Sequence, residues 1–303
     1  MPKNGIRRKL AFACLKRYAQ HLYNNKIPHF TIRRQRLLLE LNDKPQRLKY
    51  DYLFVDEFQD CTRADFQIFN LLLNNPDHFT IAGDLAQAVH IGKAARIPRF
   101  ENMARRQFHR LEGSYRLPVR ISEAIQPISQ AIKLSFNNVD GVGVITPFKG
   151  SPPGARPIVV FDKTLEGIAS KIKEIFVAYS IYDLNRVTIL EKDSTLSSAI
   201  RNTGIDSEAD TILRLKGLEK RCVIWSTRAE IEYEKEVYEF VYTILSRTSS
   251  ILIIALSENS LPIYRPVLGK LRNDRLIMWD NETNLFFNSY KELVNPEISV
   301  DEE

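Results

Sequence analysis

The chain has 303 residues, of which 44% are hydrophobic and 26% are charged, a composition typical of a globular protein with room for two ordinary domains. It holds no apolar run of about eighteen residues and no clean secretory leader, so we expect neither a membrane span nor export. The three cysteines, Cys14, Cys61 and Cys222, are widely spaced. They fit reduced thiols in a cytoplasmic protein better than a disulfide framework or a zinc site.

Positive charge is concentrated at the N-terminus. Residues 1–50 hold 13 Lys and Arg against 2 Asp and Glu, a net +11, whereas the whole chain is +6, so the remaining residues sum to −5. Such an asymmetry favours a polyanionic partner, above all nucleic acid. A solvated helix face would give the same pattern, and charge alone leaves both interpretations open.

The N-terminal third is predicted to begin with two helices. Residues 5–24 place Leu10, Phe12, Leu15, Tyr18 and Leu22 at roughly helical spacing, with basic side chains between them. The elements predicted from here to the middle of the chain are a helix at Thr31–Leu41, a buried strand at Tyr50–Val55, a helix at Phe66–Leu73, a strand at Phe79–Ala82, a strand near Phe108–Leu111, a helix from Pro118 to about Leu134 and a loop at residues 137–156.

Strands and helices alternate in the second half. The predicted elements are strands at Ile158–Phe161, Val187–Leu190, Thr211–Leu213, Arg221–Trp225 and Ile251–Leu256, and helices at Leu165–Tyr179, near Leu196 and at Tyr233–Leu245. This alternation predicts an α/β fold with parallel sheets. We expect Trp225 to be a core residue rather than a platform for a nucleic-acid base.

An acidic cluster, Asp56-Glu57-Phe58-Gln59-Asp60, follows the apolar segment YLFV. Ligands of open α/β sheets bind at the carboxyl ends of strands, where one carboxylate can hold Mg²⁺ through water and a second can polarise an attacking water. We expect Asp56 and Glu57, adjacent at a strand end, to point to opposite faces.

The segment YDYLFVDEFQDCTRADFQIF (residues 50–69) resembles motif II, the Walker B region, of UvrD/Rep-like superfamily 1 DNA helicases. Four further segments follow in that family's order. They are IAGDLAQ (81–87), similar to motif III; LEGSYR (111–116), similar to motif IV; TILRLKGLE (211–219), similar to motif V; and YTILSR (242–247), similar to motif VI.

The resemblance implies ATP and Mg²⁺ as cofactors and DNA as a partner, and it implies a role for each matched residue. Asp56 would bind Mg²⁺, Glu57 would be the general base and Gln87 would sense the γ-phosphate or the attacking water. The other implied roles are arginine fingers at Arg116 and Arg247, a ribose contact at Glu219 and support of the base by Tyr115. For each arginine taken alone, the competing interpretation is a surface salt bridge worth about 0–1 kcal/mol.

One motif of the family is missing from the sequence. No glycine begins the phosphate-binding pattern G-x-x-x-x-G-K-[ST], and only 55 residues precede Asp56, so the chain is expected to begin too late to hold that loop. Motif III also departs from the family, with His90, Gly92 and Lys93 where Tyr, Phe and Arg are usual, so a base-stacking platform is expected to be absent there.

The expected architecture is an α/β fold of RecA-like parallel sheets with the first lobe incomplete. Residues 1–107 would form that partial lobe with its basic helices, residues 108–270 a nearly complete second lobe, and residues 271–303 a C-terminal extension. A protein partner could supply or cover the missing part of the first lobe, whose sheet edge would otherwise be unpaired.

Three functions remain open at this point. The first is a piece of a helicase motor, inactive alone, that unwinds or translocates along DNA in the intact protein or with a complementing chain. The second is a non-catalytic nucleic-acid-binding module, with Arg7, Arg8, Lys16 and Arg17 contacting the phosphate backbone. The third is a regulator that binds another motor protein. Strong, salt-sensitive DNA binding would argue against the third.

Overall fold

A computed structural model describes residues 5–27, 29–44, 49–87, 109, 111, 113–135, 143–181, 187–215, 218–228 and 237–294. The chain divides into two compact units. The first unit contains Met1–Gly83 with Gly92–Phe108, and the second contains Asp84–Ile91 with His109–Glu303. The segment that begins at Asp84, which the sequence analysis places in the first lobe, therefore belongs to the second unit.

The first unit pairs helices with a short parallel sheet. Its described helices and strands are α1 (Gly5–Asn24), α2 (Phe30–Asp43), β1 (Leu53–Val55), α3 (Arg63–Leu72) and β2 (Phe79–Ile81). Thr62 begins α3 with a capping box: its backbone N–H donates to Asp65 Oδ2 (2.7 Å) and its hydroxyl accepts from Asp65 N–H (3.3 Å). The same Asp65 carboxylate binds Arg34 of α2 at 2.7 Å, which ties α2 to α3.

The strand predicted at Tyr50–Val55 is shorter than expected and is not buried. β1 runs parallel to β2 with Leu53 opposite Phe79, and Phe79 contacts Phe66 and Phe69 of α3. Alternation along a strand places Phe54 on the other face. That side chain is 74% exposed, so the prediction of a fully buried strand was wrong.

The second unit is built around a six-stranded parallel sheet in the order β5-β4-β6-β7-β3-β8. Its strands are β3 (Ile158–Phe161), β4 (Val187–Leu190), β5 (Ser207–Asp210), β6 (Lys220–Ser226), β7 (Thr248–Leu256) and β8 (Ile277–Met278). Its helices are α4 (Val119–Ser135), α5 (Leu165–Ala178), α6 (Thr195–Asn202), α7 (Ile212–Leu215), α8 (Val237–Leu245), α9 (Arg265–Leu268) and α10 (Asn281–Val294). The predicted α/β class with parallel sheets is confirmed.

Both faces of this sheet are covered, which is why its central strands are continuous apolar runs. On one face, Ile158, Ile189 and Ile224 pack with helices α5 and α6 in a single core. On the other face, Trp225 is fully buried and meets Tyr264 edge to face at 5.0 Å. Trp225 is thus a core residue, as predicted.

One strand of the second unit was placed wrongly from the sequence. Thr211–Leu213 is not a strand: the edge strand is Ser207–Asp210, and Ile212–Leu215 is the short helix α7. The sequence SEAD is polar because an edge strand is covered less completely than a central one, so it lacks the apolar run used for prediction. The strand near Phe108–Leu111 and the start of the helix at Tyr233 fall largely or wholly outside the described residues.

The C-terminal segment contributes directly to the sheet. β8 pairs with β3, Ile158 lying opposite Ile277, and α10 follows it with Phe287 and Tyr290 buried. Within the described residues, no helix is long and apolar enough to cross a membrane.

A buried carboxylate closes the carboxyl end of β4. Glu191 is 5% exposed and accepts hydrogen bonds from the backbone N–H groups of Leu196 and Ser197, both at 2.8 Å. These donors belong to the first turn of α6, where backbone N–H groups lack partners within the helix and the helix dipole favours negative charge. Glu191 thus fixes α6 against the sheet.

Replacing Glu191 by Ala should lower the free energy of unfolding by about 1.5–3 kcal/mol, because two buried donors lose a charged acceptor. Glu191→Gln, which keeps one acceptor oxygen, should cost less. Urea unfolding followed by circular dichroism measures both. Glu258→Ala is the control, since Glu258 is exposed and lies 4.0 Å from Lys163; its change should stay within about 0.5 kcal/mol. Equal losses at positions 191 and 258 would contradict this account.

Candidate functional site

The acidic cluster of the first unit forms a tight turn directly after β1. Glu57 has φ 52° and ψ 41°, a left-handed conformation, and the 3₁₀ turn Phe58–Asp60 follows it. Glu57 therefore belongs to a turn and does not continue the extended strand, where adjacent side chains would alternate between faces. A non-glycine residue in this region is uncommon and is held there by its surroundings.

Hydrogen bonds fix both carboxylates of this turn. Asp56 is exposed, and its Oδ1 accepts the Glu57 N–H at 2.8 Å. The Glu57 carboxylate accepts a short hydrogen bond from the side-chain amide of Gln59, which is only 1% exposed. Gln59 thus holds Glu57 in place from inside the unit.

The neighbouring strand β2 completes the turn. Ala82 N–H donates to Val55 O at 2.8 Å, and Phe58 N–H donates to Ala82 O at 3.0 Å. The next residue, Gly83, packs so closely that a Cβ atom there would lie 2.2 Å from Gln59 Oε1 and 2.6 Å from Phe58 Cδ1. Neither Gln59 nor Gly83 was assigned a role from the sequence, although both lie inside the recognised motifs.

The exposed carboxylate of Asp56 is compatible with a magnesium ion that retains most of its water ligands. Mg²⁺ is held in nucleotide sites by one or two carboxylates together with phosphate oxygens and waters. Asp56 offers one exposed carboxylate of that kind. No group of three or more candidate ligands occurs within the described ranges, so these residues do not form a metal cage by themselves.

In the second unit, motif III meets motif VI. The 3₁₀ turn Leu85–Gln87 carries the Gln87 side chain, whose Oε1 accepts a hydrogen bond from Arg247 Nη2 at 2.5 Å. Arg247 is 2% exposed, and its Nε also donates to Thr243 O at 3.1 Å. The arginine expected to act as a finger is thus buried and bonded within its own unit.

Motif IV meets motif V in a second pair. Arg116 Nε lies 3.1 Å from Glu219 Oε1, and both side chains are substantially exposed, at 55% and 37%. Tyr115, next to Arg116, stacks on Phe148 with ring centroids 3.7 Å apart. Tyr115 nevertheless remains 71% exposed.

These charged groups surround a buried phenol. Burial raises the pKa of Tyr242 far above its ordinary value, and the negative charge of Asp84 raises that pKa further. Arg247 and Arg116 act in the opposite direction. The phenol therefore stays protonated, and the charges of motifs III, IV and VI all lie near motif VI's first residue.

The basic N-terminal helix is exposed on nearly all sides. Lys16 and Arg17 point into solvent, and so do Leu10, Phe12 and Tyr18, at 65%, 70% and 53% exposure. Arg7 and Arg8 lie in the same helix, but their side chains are outside the described set. The altered motif III residues His90, Gly92 and Lys93 are also outside it.

Comparison with known proteins bears on these motifs. Residues 2–107 match the family model of the UvrD/REP helicase N-terminal domain. A probable DNA helicase II homolog of Mycoplasma capricolum is 37% identical over 51 residues, which cover 17% of this chain and 7% of that protein. The ATP-dependent DNA helicase Rep of Salmonella typhimurium is 32% identical over 95 residues, which cover 29% of this chain and 14% of that protein. The matches span only a small part of either relative.

Two solved structures show weaker likeness. The C-terminal domain of a possible DNA helicase from Lactobacillus plantarum aligns over 55% of this chain and 100% of its own, at 17% identity and a TM-score of 0.40. An arterivirus nonstructural protein 10 helicase in complex with DNA aligns over 73% of this chain and 43% of its own, at 15% identity and a TM-score of 0.39.

Gly83→Ala should destabilise the first unit by about 1–3 kcal/mol, because the new methyl group overlaps the buried Gln59 amide and the Phe58 ring. The free energy of unfolding checks this. Gln59→Ala removes one of the overlapping atoms, so the Gly83→Ala cost should fall by at least about 0.5 kcal/mol in that background. If the two substitutions change the free energy of unfolding strictly additively, a side chain at position 83 does not overlap the Gln59 side chain.

Proposed function

We propose that this chain, a UvrD/Rep-like helicase relative, is the part of a DNA-helicase motor that carries motifs II to VI. The family match and the two helicase relatives support the relationship. The helicase activity of the intact protein, or of this chain with a complementing one, is part of the proposal, as is its cytoplasmic location.

The observation that carries the proposal is the pairing of motifs in the second unit. Gln87 and Arg247 are separated by 160 residues and joined by a hydrogen bond. Arg116 and Glu219 form an ion pair across a separation of 103 residues, from 219 − 116. Four residues selected from the sequence as members of one site therefore meet in two pairs. This pairing supports the interpretation that the four motifs belong to one site.

The nucleotide chemistry is divided among named groups. Asp56 would hold Mg²⁺, and Glu57, fixed by Gln59, would accept a proton from the attacking water. The bound nucleotide and metal would supply the phosphoryl group and neutralise its charge. The backbone N–H groups and lysine that cradle phosphates in this family need the pattern G-x-x-x-x-G-K-[ST], which the sequence lacks. We therefore propose that the chain alone does not turn over ATP.

The exposed basic helix supports contact with nucleic acid. Lys16 and Arg17 are exposed and would neutralise phosphates, and aromatic side chains between basic ones would stack on unpaired bases. The helix also exposes Leu10 and Leu15, which a nucleic-acid backbone would not cover. That exposure favours a protein partner as a second occupant of α1.

The alternative function is a non-catalytic nucleic-acid-binding module or a regulator derived from a helicase. The missing phosphate-binding pattern favours it. The two functions differ in one respect: only the motor needs Glu57 and Arg247 for turnover once phosphate-binding donors are supplied by another chain or segment.

With Mg²⁺ and single-stranded DNA, the isolated chain should hydrolyse ATP no faster than buffer, and its affinity for ATP should be in the millimolar range or weaker. Isothermal titration and a phosphate-release assay measure both quantities. The matched control is Glu57→Gln. DNA-stimulated hydrolysis that disappears in Glu57→Gln would refute the proposed inactivity and reveal a phosphate site within this chain.

Binding to single-stranded DNA should weaken as salt rises, because phosphate contacts release counterions. The double variant Lys16→Ala/Arg17→Ala should bind more weakly, and the slope of log K against log salt should fall by about 1.4, or about 0.7 for each lost contact. Fluorescence anisotropy with a labelled oligonucleotide measures the slope.

Lys163→Ala/Lys173→Ala is the matched control for this measurement, since both lysines are exposed in the second unit. Its slope should stay unchanged. Equal effects of the two double variants would mean that α1 is not the DNA-binding surface.

A further inference from the structure

The orientation of the Gln87 amide is set by its neighbour Asp84. Asp84 Oδ2 accepts a hydrogen bond from Gln87 Nε2 at 2.9 Å. Asp84 Oδ1 accepts the Ala86 N–H at 2.9 Å, and the Asp84 carbonyl oxygen accepts the Gln87 N–H at 3.0 Å. Three hydrogen bonds thus tie this aspartate to the turn that carries Gln87.

A glutamine amide has a donor end and an acceptor end, and the two neighbours of Gln87 require different ends. An ionised carboxylate only accepts hydrogen bonds, whereas a guanidinium only donates them. Asp84 therefore selects the Nε2 end and leaves Oε1 for Arg247, which donates to it at 2.5 Å. A flipped amide would place donors against the guanidinium and oxygen against the carboxylate.

Reversing the Gln87 amide would be unfavourable because several of the surrounding residues are buried. Arg247 is 2% exposed, and the turn residues Leu85 and Ala86 are 2% and 1% exposed. A buried hydrogen-bonding group that loses its partner is not compensated by water. Asp84 is half-buried, and its negative charge lies in the same region as the positive charge of Arg247, since both charges act on the pKa of Tyr242.

We infer that Asp84 is a positioning residue: it fixes which end of the Gln87 amide faces Arg247, and so holds motif III and motif VI together in the second unit. Gln87 forms a hydrogen bond with each of the other two residues, donating to Asp84 and accepting from Arg247. The consequence for ATP turnover rests on the proposed function, but the hydrogen-bond arrangement itself does not.

Exchanging the donor and the acceptor tests the inference. In Asp84→Asn, the single amide oxygen can replace only one of the two carboxylate oxygens. When it keeps the Ala86 N–H, the NH₂ group faces Gln87 Nε2, so two donors oppose each other or Gln87 flips away from Arg247. In the double variant Asp84→Asn/Gln87→Glu, the amide introduced at position 84 donates to one oxygen of the carboxylate introduced at position 87, and the other oxygen faces Arg247. The double variant has the same charge as the native pair and a similar size.

The readout is hydrogen exchange of the Arg247 Nη protons in ¹⁵N NMR spectra of the full chain, with the signals assigned by their loss in Arg247→Lys. Exchange should be about tenfold faster in Asp84→Asn, the change expected for one lost hydrogen bond. It should return to within about threefold of the native rate in the double variant. Circular dichroism shows that each variant is folded.

Asp274→Asn is the matched control, because Asp274 is an exposed carboxylate of the same unit that binds Arg272. It should leave Arg247 exchange unchanged. Unchanged exchange in Asp84→Asn, or a double variant no slower than Asp84→Asn, would overturn the inference. The ATP measurements described above are independent, so failure of the proposed function would leave this result intact.

Discussion

The buried guanidinium of Arg247 imposes the central constraint on the second unit. An arginine cannot lose its charge at accessible pH, so every buried guanidinium needs acceptors. Thr243 O and Ser246 Oγ are local acceptors, at 3.1 and 3.3 Å, whereas Gln87 Oε1 comes from a segment 160 residues away. The hydrogen bond to Gln87 joins the turn at Leu85–Gln87 to the second unit, although this turn follows a strand of the first. Tyr242, buried beside the same charges, is kept neutral by this environment.

The motif III segment, residues 81–87, therefore contains a boundary between the two units, which falls between Gly83 and Asp84. Gly83 is the last residue of the first unit's N-terminal segment and has no room for a Cβ atom, because Gln59 and Phe58 occupy that space. Asp84 begins the second unit and makes three hydrogen bonds to its own turn. Steric closeness fixes one residue and hydrogen bonding fixes the next, so neither of these two residues can readily absorb a change. Gly83 is sensitive to the position of Gln59 and hence of Glu57, whereas Asp84 is sensitive to the position of Gln87 and hence of Arg247.

The motifs, most of the strands and the α/β class could be recognised from the sequence because each depends on the pattern of residues within a short segment. Ile158–Phe161 and Val187–Leu190 are uninterrupted apolar runs, and strands of that kind are found where they were expected. Ser207–Asp210 was missed because an edge strand has no such run, and Phe54 was misjudged because burial depends on what covers each face. The roles of Gln59, Gly83 and Asp84 depend on contacts between segments distant in sequence or on amide orientation, and neither leaves a periodic signal. Their positions inside recognised motifs were the only local sign.

The two candidate finger arginines differ in how readily a phosphate could engage them. Arg116 is half exposed and its pair with Glu219 is a surface ion pair, worth about 0–1 kcal/mol, so a phosphate oxygen can replace that partner at little cost. Arg247 is enclosed, and releasing it takes the donor away from Gln87 Oε1 inside the unit unless the turn moves as well. A ligand that draws on Arg247 must therefore supply acceptors in the same place or displace motif III. Under the proposed function, Arg116 would be the first of the two arginines to bind a phosphate oxygen. Binding of phosphate by Arg247 would be coupled to movement of the turn Leu85–Gln87.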